Sequence, residues 1–212
     1  MSGTWKLGFG CLALVLGFGL LAAIGWAADS WERGNAGPLG FVVLLIVGGS
    51  TLAALVANKR AKRANEDARC AWERHQILCA QSAEIARYHA MDARSFERAI
   101  AFLCERDGCH QVSVVGGAGD LGADVVATAP DGRRIVIQCK RYGPTTKVGS
   151  PDLQRFGGTC YSVHGAQVAA VVTTSVFTQP AAQYGSQHGI RLIDQAALAA
   201  WATRTGPAPW ML

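Results

Sequence analysis

An aspartate at position 124, a glutamine at 138 and a lysine at 140 stand at the ends of two apolar runs separated by Pro130-Asp131-Gly132. A carboxylate oxygen and an amide oxygen are hard ligands that suit Mg²⁺. A lysine two residues along can orient a water or stabilise charge developing on a phosphate. Together the three could support metal-assisted hydrolysis of a phosphodiester. The competing reading is a buried polar trio that closes the end of a sheet, and composition alone favours it.

Whether the three meet depends on a hairpin register. Proline and aspartate suit the central positions of a type I turn, and glycine suits the left-handed position that follows. That is a three-residue hairpin loop. Ala129 then pairs with Arg133 and, counting back, Asp124 pairs with Gln138. Cross-strand partners project from one face, as do residues two apart. Asp124, Gln138 and Lys140 would therefore share one face at one end of the hairpin. A two-residue Asp-Gly loop would set Asp124 against Cys139 instead and break the group, unless a bulge restored it.

The hairpin strands are predicted over 124–129 and 134–140. Before them, Asp92 can cap a helix with Phe96, Ile100 and Leu103 at helical spacing and Gly108 past its end. A short strand over 112–115 and a glycine-rich loop over 116–122 follow it. After the hairpin, Ser150-Pro151 reads as a serine cap with proline in the first helical position. Residues 168–173 suit a buried strand. A helix over 178–188 ends at Gly189, a strand follows over 190–193, and Asp194 can cap a last helix. The tail 205–212 reads as irregular. The order α-β-β-β-α-β-α-β-α implies an α/β fold with a mixed sheet flanked by helices on both faces.

The 212-residue chain is half hydrophobic and only 17% charged, and the apolar excess is local. Residues 7–28 and 39–57 carry no charge. Each is about the length that crosses ~30 Å of hydrocarbon as a helix. Glycines at 8, 10, 17 and 19 are tolerated in spanning helices, and Trp5, Trp26 and Trp31 lie near the ends, where indoles favour the interface. A cleaved signal peptide over the first stretch is the alternative. Lys59, Arg60, Lys62 and Arg63 follow the second stretch, whereas the loop between the two holds Asp29, Glu32 and Arg33. By the positive-inside rule, residues 1–57 read as a transmembrane helical hairpin with both termini in the cytoplasm. The expected location is the inner (cytoplasmic) membrane, multi-pass, with the lipid bilayer as a partner. Residues 58–90, without Gly or Pro, read as a basic juxtamembrane connector helix, and 91–204 as a compact cytoplasmic domain. Ala71, Leu78 and Ile85 recur every seven residues, a weak signal for a homodimer. A connector packing on its own domain explains them equally well.

The seven cysteines are irregularly spaced and lack Cys-x-x-Cys, so neither a zinc knuckle nor a disulfide framework is indicated. Gly116-Gly-Ala-Gly119 lacks the Gly-Lys-Ser/Thr of a nucleotide phosphate loop. The five histidines have no metal or triad spacing. The net charge of +5 lies beyond the apolar stretches and suits an anionic leaflet or nucleic acid.

Phe96-Glu97, Gly119-Asp-Leu-Gly-Ala-Asp124, Gln138-Cys-Lys-Arg-Tyr142, Val172-Thr-Thr-Ser-Val-Phe-Thr178 and Gly189-Ile-Arg-Leu-Ile-Asp194 occur in that order. In these motifs the domain resembles the catalytic domain of Mrr-type restriction endonucleases, of the PD-(D/E)XK nuclease superfamily. The resemblance covers about 91–201 and leaves out the apolar segments and the connector. It implies a restriction-endonuclease-like mixed sheet and cleavage of DNA that depends on Mg²⁺, with Mn²⁺ as a substitute. By position, Asp124 matches the acidic metal ligand and Lys140 the catalytic lysine. Gln138 matches a position that is Glu or Asp in most of the superfamily and commonly Gln in the Mrr branch. Glu97 matches an acid that often completes the site. Cys139 would offer the metal its backbone carbonyl, with its side chain on the opposite face. Gln138 brings no charge, so the metal would be held less tightly unless Glu97 or Asp120 adds a carboxylate.

Arg141, Lys147, Gln154 and Arg155 are candidates for contacting DNA phosphates, a role that gives affinity without sequence choice. A solvated basic face explains each of them equally well. Gly157-Gly158 weakens its helix and suggests close approach of a partner backbone or DNA. The expected function is a membrane-anchored endonuclease acting in restriction of DNA, modified DNA included. Two alternatives stay open. One is a non-catalytic, membrane-bound DNA-binding or assembly module with the same fold. The other is a structural membrane protein whose basic connector binds anionic lipid.

Overall fold

The computed structural model describes residues 22, 25, 26, 29, 32, 38–117, 119 and 121–212. Most of the first expected membrane span, together with Arg33 and Asp120, lies outside these residues. The chain divides into two compact units, Met1–Ala71 and Trp72–Leu212.

In the first unit the main element is the start of helix α1 (Pro38–His89), whose 52 residues continue past Ala71. Its early part holds the uncharged stretch 39–57, and Phe41, Leu45, Ile46, Leu52 and Leu55 are all exposed. Among the described residues it is the one helix long and apolar enough to cross a membrane. Such a display of apolar side chains is costly in water and favourable in hydrocarbon.

The second unit begins within α1. Its last turns belong to the domain core: Tyr88 is fully buried, with its ring edge-on to Phe96 at 5.7 Å, and Ile85 packs beside it. Helix α2 (Ala93–Arg106) starts as expected, with the Asp92 carboxylate accepting the Ser95 N–H at 2.6 Å. Strands β1 (His110–Val114), β2 (Val125–Thr128) and β3 (Arg134–Lys140) follow. Helix α3 (Ser150–Cys160), β4 (Val168–Thr173), α4 (Gln179–Gln187), β5 (Ile190–Ile193) and α5 (Gln195–Ala202) complete the order read from the sequence. The sheet runs β1-β2-β3-β4-β5, antiparallel in the first two pairings and parallel in the last two. It is therefore the expected mixed sheet.

Alternation along β3 divides the core into two layers. Ile135 and Ile137 face Phe96, Ile100, Leu198 and Trp201, from α2 and α5. Val136 faces Leu153 and Phe156 of α3 and Ala181 of α4. Strand β4, covered on both faces, is buried along its whole length.

Three expectations need correction. Gly149, not Ser150, is the residue before the first turn of α3, and its N–H is met by the Asp152 carboxylate from within the helix. Residues 205–212 are irregular only in part. Pro209–Met211 form a 3₁₀ turn, and Trp210 is buried with its ring edge-on to Trp201 at 5.8 Å. Gly157 owes its lack of a side chain to α4: a Cβ there would lie 2.7 Å from the Tyr184 hydroxyl oxygen. Close helix packing explains that glycine, while the space beside Gly158 is open.

Asp107 at the end of α2 ties the domain together. It accepts the indole N–H of Trp201 at 2.8 Å and pairs with Arg106 at 2.7 Å, and Arg106 also donates to the Trp201 and Ala202 carbonyls. Burial pushes the Asp107 pKa up, but hydrogen bonds from Arg106 and Trp201 and the charges of Arg106 and Arg204 outweigh it, leaving the carboxyl below its ordinary value. Folding thus favours the charged form. The stabilisation is complete at neutral pH and is lost as pH falls below about 4 through the lowered pKa. Asp107→Ala is expected to cost about 2–3 kcal/mol at pH 7, because it leaves the indole N–H and a guanidinium without their acceptor. Denaturant melts at pH 7 and in acid check this: the two proteins should converge in stability as the pH is lowered.

Candidate active site

The hairpin has the register that places the site. Val125 pairs with Ile137, Val126 with Val136, Ala127 with Ile135 and Thr128 with Arg134. The Ala129 N–H donates to the Arg133 carbonyl at 2.8 Å, and Gly132 takes the left-handed conformation with φ +86°. The loop is therefore the three-residue Pro130-Asp131-Gly132. Asp124 stands one residue before β2. Its N–H donates to the Ile137 carbonyl, and its own carbonyl accepts from Val115 and Gly116.

Held there, the Asp124 carboxylate accepts the Cys139 backbone N–H on Oδ2 at 2.7 Å. Its other oxygen points at Gly116. A Cβ on Gly116 would fall 3.1 Å from Asp124 Oδ1 and 2.9 Å from Glu97 Oε2. Two carboxylates from separate elements thus converge on Gly116, where an added side chain would push them aside. Glu97 reaches this point from the second turn of α2. Its carboxylate also pairs with Arg94 at 2.9 Å, and Arg94 donates to the Gly116 carbonyl at 2.6 Å.

Gln138 lies on the next stretch of β3, 6% exposed. Its Nε2 would be 3.0 Å from a Cβ on Gly122, a glycine with φ +87°. Its Oε1 is buried and has no hydrogen-bond partner. A buried acceptor left unmatched is costly unless something else meets it. The Glu97–Asp124 pair separately offers hard oxygens of the kind a small divalent cation takes, so these two residues fit Mg²⁺. Among the described residues no three His, Cys, Asp or Glu side chains gather as a metal cluster, so a cation held by this pair would need other oxygens as well. The Cys139 thiol packs against the α2 layer, opposite Gln138, as expected. Its pKa is raised by burial first and then by the charges of Asp124 and Glu97, which lie close by.

Lys140 turns towards α3, with Nζ 4.0 Å from Asp152 Oδ1. The structure thus brings Glu97 and Asp124 together, sets Gln138 beside Gly122, and gives Lys140 a carboxylate partner of its own. The four expected phosphate contacts are all exposed. Arg141 reaches the His89 carbonyl at 3.4 Å, Gln154 donates to Ser150 at 3.0 Å, and Arg155 pairs with Asp152.

Two polar residues escaped the reading of the sequence, Arg94 and Asp152. Each lies three residues from a charged partner on its helix, Glu97 and Arg155, and that spacing was the available signal. The motif Thr173-Thr174-Ser175 also gains a role. These buried hydroxyls donate to the carbonyls of Lys140, Tyr142 and Thr146 at 2.7, 2.8 and 2.5 Å, clasping the segment that leaves β3.

A family model for the Mrr catalytic domain, described as a restriction endonuclease, matches residues 88–202. None of the curated proteins matches the sequence. Among solved structures, a protein of unknown function, AF1548, is 23% identical with a TM-score of 0.40, over 49% of this chain and 58% of its own. The restriction endonuclease MspJI, in complex with a 27-mer oligonucleotide, is 21% identical with a TM-score of 0.44, over 59% of this chain and 31% of its own. The DNA modification-dependent restriction endonuclease AspBHI is 17% identical with a TM-score of 0.43, over 60% and 35%. The chain thus spans less than two thirds of the length of each. The family match takes in Glu97, Asp124, Gln138 and Lys140, and by it the chain belongs to the restriction endonuclease family defined by the Mrr catalytic domain.

Proposed function

We propose that this chain is a metal-dependent DNA endonuclease anchored to the inner membrane. The observation that carries the reading is the convergence of Glu97 and Asp124 on Gly116, within a domain of a restriction endonuclease family. Glu97 and Asp124 would hold Mg²⁺, or Mn²⁺ in its place, with the Gln138 amide oxygen and the Cys139 carbonyl as neutral ligands. A cation bound there supplies charge neutralisation and activates water for attack on phosphorus. The Cys139 N–H keeps Asp124 in position, and Arg94 does the same for Glu97. Lys140 contributes a positive charge towards the negative charge that develops on the phosphate. Arg141, Lys147, Gln154 and Arg155 bind backbone phosphates, which sets affinity and salt dependence rather than sequence.

The apolar part of α1 supports a bilayer anchor, and the basic run after Ala57 supports a cytoplasmic domain. An enzyme held there would meet incoming DNA, which suits restriction of foreign or modified DNA. Cutting both strands would call for a homodimer.

The test is cleavage of supercoiled plasmid, methylated and unmethylated, by the full chain in detergent. Nicking is expected with Mg²⁺ or Mn²⁺, none with chelator, and Lys140→Ala should slow it about 10²–10³-fold. Tight binding of DNA without cleavage in either metal would favour the non-catalytic module instead. A reporter fused to the C-terminus should be active in the cytoplasm; activity outside would overturn the topology.

A further inference from the structure

Three hydrogen-bond donors and a more distant ammonium converge on Asp152, in the first turn of α3, whose side chain is only 13% exposed. Its Oδ2 accepts the Gly149 N–H and the Tyr142 hydroxyl, each at 3.4 Å. Its Oδ1 pairs with the Arg155 guanidinium and lies 4.0 Å from Lys140 Nζ. The neutral donors take one oxygen and the two cations share the other. The cations differ in surroundings: the Lys140 side chain is 21% exposed and that of Arg155 70%. Water screens the Arg155 pair strongly and the sheltered Lys140 pair less.

We propose that Asp152 is a positioning residue for Lys140: its Oδ1 holds the ammonium on the Gln138 side of β3 and is shared with Arg155 until a DNA phosphate draws that guanidinium away. The inference rests on the nuclease reading above. Lys140 and Gln138 are two apart on one strand, so a carboxylate on α3 that attracts the ammonium keeps it on the Gln138 side. Arg155 is the cation free to exchange, because its side chain is solvated. Once it engages a phosphate, Oδ1 is left to Lys140 alone. Binding of substrate and placement of the lysine are then linked through one carboxylate oxygen.

The full chain in detergent serves for the experiment, with Asp152→Asn and Asp152→Glu. Asparagine keeps an acceptor for the Gly149 N–H and the Tyr142 hydroxyl, so the start of α3 survives while the charge is lost. Two quantities are read: kcat and KM on plasmid, and the rate at which acetic anhydride acylates Lys140, followed by mass spectrometry. In Asp152→Asn, Lys140 should acylate several-fold faster. Its kcat should fall about tenfold or more, as for other residues that orient a catalytic group, with KM little changed. Asp152→Glu should recover part of kcat. Unchanged acylation alongside an active wild type would overturn this proposal alone. A fall in kcat matched by loss of folded protein, with no recovery in Asp152→Glu, would overturn it too. A wild type that cuts no DNA with either metal would overturn the nuclease reading and this proposal with it.

Discussion

Asp124→Asn is expected to reduce DNA cleavage by about a thousandfold or more, because it removes charge from the pair of carboxylates that faces Gly116. The substitution is chosen for what it keeps. An asparagine carbonyl can still accept the Cys139 N–H that Asp124 Oδ2 now holds at 2.7 Å. The hairpin end should therefore stay intact and the melting temperature should hardly move. The loss should appear in kcat, since Gln154 and Arg155, the phosphate contacts proposed on α3, are untouched. Single-turnover cleavage measured beside a thermal melt separates the two. A variant as active as the wild type would remove Asp124 from the chemistry. Glu97→Gln should act in the same direction but less strongly, because the Glu97 carboxylate is already partly balanced by Arg94 at 2.9 Å.

The largest expected effect on stability belongs to Trp201→Ala. Trp201 is fully buried, donates its indole N–H to Asp107, and packs edge-on against Trp210. Removing so large a ring from a core costs about 3–5 kcal/mol through lost burial and the cavity left behind. Asp107 would also lose a donor, and Trp210 its neighbour. The expected fall in melting temperature is about 10 °C or more for a domain of this size. Calorimetry would show it, and a cost under about 1 kcal/mol would mean that the tail collapses into the space. The two substitutions are complementary: one should silence a folded domain, and the other should destabilise the domain without changing a residue of the proposed site.

The hairpin was legible because its information is local. Pro130-Asp131-Gly132 admits few loop geometries, and the loop length fixes which residues pair. Buried strands such as 168–173 were legible from their uninterrupted apolar character, and Asp92 and Asp194 from the short reach of a capping carboxylate. What escaped was set by the approach of distant segments. Nothing near Asp152 in sequence says that Lys140 will arrive across the sheet, and the chain offers many charged pairs at helical spacing. Gly157 carried a true signal, a helix position where an added side chain would crowd its neighbours, but the sequence could not say that the neighbour is Tyr184. The tail was misread because Gly206, Pro207 and Pro209 signal loop, and proline and glycine report backbone geometry without reporting burial. The convergence of Glu97 and Asp124 came through resemblance, since no spacing rule links a helix residue to one 27 positions later.

Trp210 also bears on how unfolding can be followed. Its ring closes the layer built from α2 and α5, while the Pro209 and Trp210 carbonyls receive Arg191 and Arg133. Both indoles of this corner are buried. Their fluorescence should therefore shift to longer wavelength when water enters there, and so report the opening of the α2–α5 layer apart from events at the site.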